Sequence, residues 1–324
     1  MLHTQLTDCI QTISETTPAC ADLLPDSASE FFSYYEHRSS ASVAQLQSSL
    51  NKQATQHLFD AAVNRAESAE DTHTVARLNA ITAPHAPDWK ATAPSNPQTT
   101  LSDTHYRIAA QMNLGIPLSS LPPDCYGCKH GKGKVNDDPY HYLSCPYHKR
   151  RQITLGHNML LQILYLYINY VGGTAIKEPK HLHDTDDRTP DLELMIDDQH
   201  ILTDVHITHP LCPTHVRKSA RSQMKAAERG EYRKTHKYTH TAQLHDAAFI
   251  PFVMEATGGM SESAREIYEK IVLASRNNRT LWPHEIIARD LRGAIAITVQ
   301  KRNSMTMIAG RCLAIGRAAT SAAA

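Results

Sequence analysis

Two groups of residues in this sequence carry metal chemistry. Cys125, Cys128, His141 and Cys145 follow the spacing C-x2-C-x12-H-x3-C. Thiolates and imidazole are the ligands zinc prefers, and a C-x2-C turn sets two sulfurs on one side of a tetrahedron. The loop between them is rich in Gly and Lys and has no apolar core, so a bound metal must order it. His130 and His148 compete for the fourth position. The second group is Asp191 and Asp204, thirteen positions apart in two runs that read as strands. Strands disfavour Asp, and two close carboxylates repel unless a cation lies between them. Oxygen donors of this kind select Mg²⁺ or Mn²⁺. Glu178, on a short preceding strand, can complete such a set.

The elements that must position these residues follow from the surrounding pattern. Residues 1–80 read as helical, with apolar residues at helical spacing. Residues 81–120 read as a Pro- and Thr-rich linker followed by a helix at 101–115, with Ser102 or Asp103 as N-cap and Gly115 as its stop. Residues 121–151 hold the CCHC cluster. From 152 the order is an apolar helix, three strands (174–179, 189–196, 201–208), a basic helix over 215–238 and an apolar strand over 247–256. Helices at 261–275 and 283–303 follow. DDQH (197–200) is the turn of a hairpin that brings Asp191 and Asp204 together. Residues 311–324 read as a frayed tail. The fold class is α/β: a core of helix, three strands, helix and strand over 152–310, preceded by a zinc module and a mainly helical N-terminal region.

Formal net charge is zero, which excludes a uniformly basic nucleic-acid binder, but the charge is sorted along the chain. Between 178 and 204 nine carboxylates face two bases, and between 216 and 240 eight bases face two acids. Acids that hold a cation beside bases that hold phosphates suit a metal-dependent nuclease. Seven cysteines in odd number fit a reduced compartment rather than a disulfide scaffold. No stretch is long and apolar enough to span a membrane, and the N-terminus lacks the pattern of a signal peptide.

In that order the motifs resemble a known family. LSDTHYRIAAQMNLGIPL (101–118), HYLSCP (141–146), LGHN (155–158), IKEP (176–179), RTPDLEL (188–194), TDVHITHP (203–210), EYRKTHKY (231–238), FIPFVMEATGG (249–259) and IAITVQKRNSMTMIAG (295–310) are similar to the C-terminal region of non-LTR retrotransposon proteins, which carries a CCHC zinc finger and a restriction-like endonuclease of the PD-(D/E)xK superfamily. The resemblance covers about residues 83–310. It implies a restriction-endonuclease-like core, a structural Zn²⁺, a catalytic Mg²⁺ or Mn²⁺, and nicking of target DNA to prime reverse transcription in the nucleus. The implied partners are DNA, the element RNA and a reverse transcriptase domain encoded upstream. No aromatic-x-Asp-Asp polymerase motif occurs in this chain, so the polymerase is expected elsewhere.

One departure stands out. The archetypal lysine lies two residues after the second acid, and His206 occupies that place. The resemblance carries the role to Lys234 on the following helix, with Tyr238 beside it and Lys237 as competitor. Lys149, Arg150, Arg151, Arg233 and Lys237 are the bases expected on nucleic acid. A non-enzymatic alternative is an inactive or domesticated fragment that binds nucleic acid through the zinc module and the basic helix. Other candidates carry blander expectations. HITHPLCPTH (206–215) sets His206, His209, Cys212 and His215 at three-residue steps, which could form a second metal site, but it reads rather as an irregular loop, because Pro210 and Pro213 prevent one helical face. His157 and Asn158 either hold substrate, cap the apolar helix or bond along the helix face. Glu255, at a strand end, could be a further acid near the metal but reads rather as solvated.

Overall fold

The computed structural model describes residues 40–116, 140–145, 154–182, 189–278 and 280–322, with side chains from 48 to 312. Asp8, Gln11, Thr12, Glu15, Leu118, Cys125, Cys128 and Tyr147 are described in addition. The chain divides into two compact units, 1–71 and 72–324. In the first, helix α1 (Ser40–Ser68) is the main described element.

The second unit is mixed α/β. It contains α2 (Thr72–Ile81), α3 (Asp88–Ala91), α4 (Asp103–Leu114), α5 (Thr154–Tyr170), β1 (Thr174–Lys177), β2 (Leu192–Ile196), β3 (Gln199–Thr203) and β4 (Val205–Thr208). There follow α6 (Val216–Arg221), α7 (Lys225–Leu244), β5 (Ala248–Phe249), β6 (Phe252–Glu255), α8 (Glu262–Asn277) and α9 (His284–Ala322). β1, β2 and β3 form an antiparallel meander. Its hairpin turns on Asp197 and Asp198 alone, both with positive φ, the backbone a two-residue primed turn requires.

β3 and β4 are one strand broken at Asp204, and β5 and β6 are one strand broken at Ile250 and Pro251. The parallel register is the same on both sides of the break. Backbone bonds cross it, from Ile250 N–H to the Leu202 carbonyl (3.0 Å) and from Phe252 N–H to the Asp204 carbonyl (3.1 Å). Pro251 falls opposite Asp204 and cannot donate, which interrupts the regular ladder at that point.

Alternation sorts the sheet into two faces. Leu192, Leu194, Ile201 and Val205 join the main core with α5, α8 and α9. Leu202 points the other way, toward Ala242 of α7. Asp204 and His206 follow Leu202 at two-residue steps and share its face. On α7 the residues Ala226, Gly230, Lys234, Tyr238 and Ala242 lie four apart. All but Lys234 are buried, and Lys234 is largely covered, so this ridge meets the sheet. A Cβ added at Gly230 would lie 2.9 Å from Val253 and 3.1 Å from His206. Glycine therefore lets the helix approach the sheet closely one turn before Lys234.

Several boundaries differ from those read in the sequence. α2 belongs with the second unit, because Ala76 joins a buried cluster and Asn79 donates to the Ser219 and Ala220 carbonyls. Residues 81–100 are not a free linker: Trp89 is buried against Ala109, Ala296 and Ile297, and Met260 N–H bonds the Pro84 carbonyl. The basic stretch is two helices, interrupted where Met224 takes a positive φ. The terminal helix runs to Ala322 rather than fraying at 311, in keeping with the helix propensity of its alanines. Among the described residues no helix is long and apolar enough to cross a membrane.

Candidate functional site

The register of the hairpin builds the acidic pair. β2 and β3 pair up to Leu192 and Thr203, and one step beyond puts Asp191 directly opposite Asp204. Directly opposed residues share a face, here the face covered by α7. Asp191 replaces a missing ladder bond, since its Oδ2 accepts the Val205 N–H (2.7 Å). His157, in the first turn of α5, places Nε2 2.8 Å from the same oxygen. Across the sheet Lys234 pairs with Asp204 Oδ1.

Asp204 is 3% exposed. Burial pushes its carboxyl up, and the Asp191 charge beside it pushes further, against the pull of Lys234. For Asp191, burial alone would raise the pKa, but His157, the Val205 N–H and Lys234 outweigh it and hold the group below the usual range. Two full charges ~4 Å apart repel by about 4 kcal/mol at an effective dielectric near 20. By the same measure the closer Lys234 ammonium attracts Asp204 at least as strongly, so it is burial, with the Asp191 charge added, that leaves Asp204 raised, and a cation between the two carboxylates would relieve both. His206 lies in the same layer, where burial, then Lys234 and Arg233, pull it down to about 3. It is a neutral imidazole at ordinary pH and leaves the cationic role to Lys234.

The other expected residues fall at differing distances from this centre. Tyr238 is buried. Its hydroxyl donates to the Thr189 carbonyl (3.1 Å) and receives Lys237 Nζ (2.6 Å), so it anchors α7 to the segment before β2 and does not touch the carboxylates. Lys237 lies over the Tyr238 ring (4.3 Å). Arg233 is exposed on α7, with its charge felt at His206. Glu178 does not join the pair: it is exposed with φ +45°, and its backbone N–H, not its side chain, bonds Asp191, at the carbonyl (3.0 Å). Lys149, Arg150 and Arg151 lie outside the described residues, as do His130 and His148.

Glu255 corrects the reading of a solvated strand end, being 1% exposed. Its Oε1 accepts the Ala227 N–H (3.4 Å) at the start of α7, with the Ala226 amide beside it. Met224 caps that helix with no side-chain bond, so Glu255 serves as the cap from the neighbouring strand. Burial still pushes its carboxyl up to about 7.

The second centre is the cysteine and histidine group. Cys125 Sγ lies 3.7 Å and Cys128 Sγ 3.6 Å from Cys145 Sγ, and Cys128 Sγ lies 3.1 Å from His141 Nε2. A tetrahedral zinc with Zn–S of ~2.3 Å has sulfur–sulfur edges of roughly 3.7 Å. All four ligand atoms lie within 4.8 Å of one another, and no other such group of three or more occurs among the described residues. These four residues can therefore hold a metal ion such as zinc. His206, His209, Cys212 and His215 form no such group. His209 is instead buried in the core, edge-on to Tyr140 at 6.2 Å.

The zinc-type module is fastened to the core. Tyr142 and Leu143 join a buried cluster with Leu211 and Met307, and Tyr142 covers Gly310, where a Cβ would lie 2.5 Å from its ring. Compared with known proteins, the chain matches no family model and no curated protein.

Proposed function

We propose that this chain is a metal-dependent DNA endonuclease of the restriction-like type borne by non-LTR retrotransposons. The observation that carries the reading is Asp191 opposed to Asp204 on one sheet face, with Lys234 reaching Asp204 from the next helix. The order of helix, three strands, helical connection and parallel strand suits the restriction-endonuclease-like core. Two carboxylates are few for a fully protein-made cage, but Mg²⁺ is commonly held by one or two carboxylates plus water and phosphate oxygens.

Asp191 and Asp204 would hold Mg²⁺ or Mn²⁺ between them. Bound there, the cation supplies Lewis acidity for phosphodiester hydrolysis. Lys234 keeps a positive charge at the Asp204 edge, where it can meet the extra negative charge of the pentavalent phosphorus. Arg233, exposed on α7 with its charge felt at His206, contacts the phosphates of the strand, and Tyr238 keeps α7 in place. The zinc module packs on the core through Tyr142 and Leu143. Target DNA, and the element RNA beside it, are the partners in this reading, the nucleus is the compartment, and an upstream reverse transcriptase domain uses the 3′ end. The test is conversion of supercoiled plasmid to open circles by the zinc-loaded protein in Mg²⁺. Nicking that stops with EDTA is expected, and binding without cleavage in either Mg²⁺ or Mn²⁺ contradicts the reading.

A further inference from the structure

This inference rests on the nuclease reading and deepens it. Both donors that reach Asp191, His157 Nε2 and the Val205 N–H, fall on one oxygen, Oδ2. No other base or amide among the described residues donates to Asp191, and its remaining side-chain neighbour is the Asp204 carboxyl. His157 is itself set by its neighbours. A Cβ at Gly156 would lie 1.9 Å from Arg302 Cγ, so glycine lets the first turn of α5 seat directly on the Arg302 stem. Arg302 is fully buried on α9 and donates to Asn303 Oδ1 (2.9 Å). Asn303 in turn donates to the Ala256 carbonyl (2.5 Å). The position of the imidazole is thus fixed from the core outward.

We propose that His157 is a positioning residue for the catalytic cation: it pins Asp191 by Oδ2, so that Asp191 offers the cation the single oxygen Oδ1 beside Asp204. Ligating carboxylates depend on such outer hydrogen bonds for their orientation. A direct ligand role does not fit, because His157, Asp191 and Asp204 do not bring three ligand atoms within 4.8 Å of one another. The imidazole is already engaged by Asp191 Oδ2, 2.8 Å away. Without it, the Val205 N–H alone leaves the carboxylate free to turn, and Asp204 already gives one oxygen to Lys234.

The test uses the full, zinc-loaded chain with His157→Ala, His157→Gln and Asp204→Ala. Mn²⁺ affinity is titrated without DNA by the EPR signal of the free ion, and kcat and KM for plasmid nicking are measured separately. Zinc content and Tm close to wild type certify the fold. His157→Ala is expected to weaken Mn²⁺ binding about 10- to 100-fold and to lower kcat with KM for DNA unchanged. His157→Gln, whose amide can donate to the same oxygen, recovers most of both. If His157→Ala binds Mn²⁺ like wild type while Asp204→Ala loses it, the positioning role is overturned and the nuclease reading stands. If Gln recovers nothing over Ala, the positioning role is likewise overturned. If Asp204→Ala leaves Mn²⁺ affinity unchanged, both readings fall.

Discussion

Lys234 is ion-paired with the buried Asp204, thirty residues away in the sequence and on the opposite side of the sheet–helix interface. Lys237, three residues further on, faces outward and is held against Tyr238. Of the two lysines, then, only Lys234 lies on the ridge that meets the carboxylates. Replacing Lys234 by Met is expected to lower nicking by about 10²- to 10³-fold, the usual cost of one charge-stabilising donor. Lys237→Met is expected to cost less than about tenfold. Single-turnover rates on a nicked-plasmid assay check the difference; equal losses in the two variants contradict the assignment.

Gly230 sets how closely α7 can approach. Gly230→Ala gains up to about 1 kcal/mol of helix propensity. It also drives a methyl against Val253 and His206, and overpacking of this kind costs about 1–3 kcal/mol. The steric cost is expected to win, giving a lower Tm together with weaker nicking as Lys234 is lifted from Asp204. A higher Tm with undiminished activity would show that the helix–sheet gap has room to spare.

Glu255 gives the stability a pH dependence of definite sign. The folded carboxyl holds its proton up to about 7, whereas the ordinary value is 4.5. A raised folded pKa means that its contribution is fully present below about 4.5 and is lost as pH rises through about 7. The loss is at most about 1.4 kcal/mol per pH unit across that window. Glu255→Gln stays neutral and still accepts the Ala227 N–H. Its Tm relative to wild type is therefore expected to rise between pH 5 and pH 7.5. A difference that is flat over that range contradicts the buried neutral acid.

A zinc ion held by Cys125, Cys128, His141 and Cys145 is expected to stabilise more than those four residues, because Tyr142 and Leu143 pack into the core beside Met307. Chelation, or Cys145→Ser, should remove one equivalent of zinc and lower the Tm of the unit that contains α9. Gly310→Ala, which sets a methyl on the Tyr142 ring, should lower the Tm while zinc is retained. A chelated protein that melts at the wild-type temperature would show the module to be energetically separate.

What the sequence made legible follows from the range of each interaction. The CCHC spacing is local, so its four ligands could be read from one short stretch. Asp191 and Asp204 sit on a hairpin whose turn residues are recognisable, so their pairing needed only the register. Lys234 was placed by resemblance, but the row Ala226, Gly230, Lys234, Tyr238 and Ala242 carries the physical signal: small or aromatic residues every four positions mark the face that packs. The contact of His157 with Asp191 was not legible, because nothing local joins an apolar helix to a strand edge thirty-four residues on. Glu255 was misread for the same reason. Its partners are helix-terminal amides brought in by tertiary packing, and a strand-end glutamate shows no sign of them. The order of 81–100 likewise depends on Trp89 finding α9, a distant element that composition does not reveal.

The most direct measurement is Mg²⁺-dependent nicking of supercoiled plasmid by wild type and Asp204→Ala, both zinc-loaded and matched in Tm. Wild type is expected to accumulate open circles in Mg²⁺ and none in EDTA, with Asp204→Ala inactive in both. Nicking by Asp204→Ala at the wild-type rate in Mg²⁺ would contradict the assignment of the carboxylate pair as the catalytic centre.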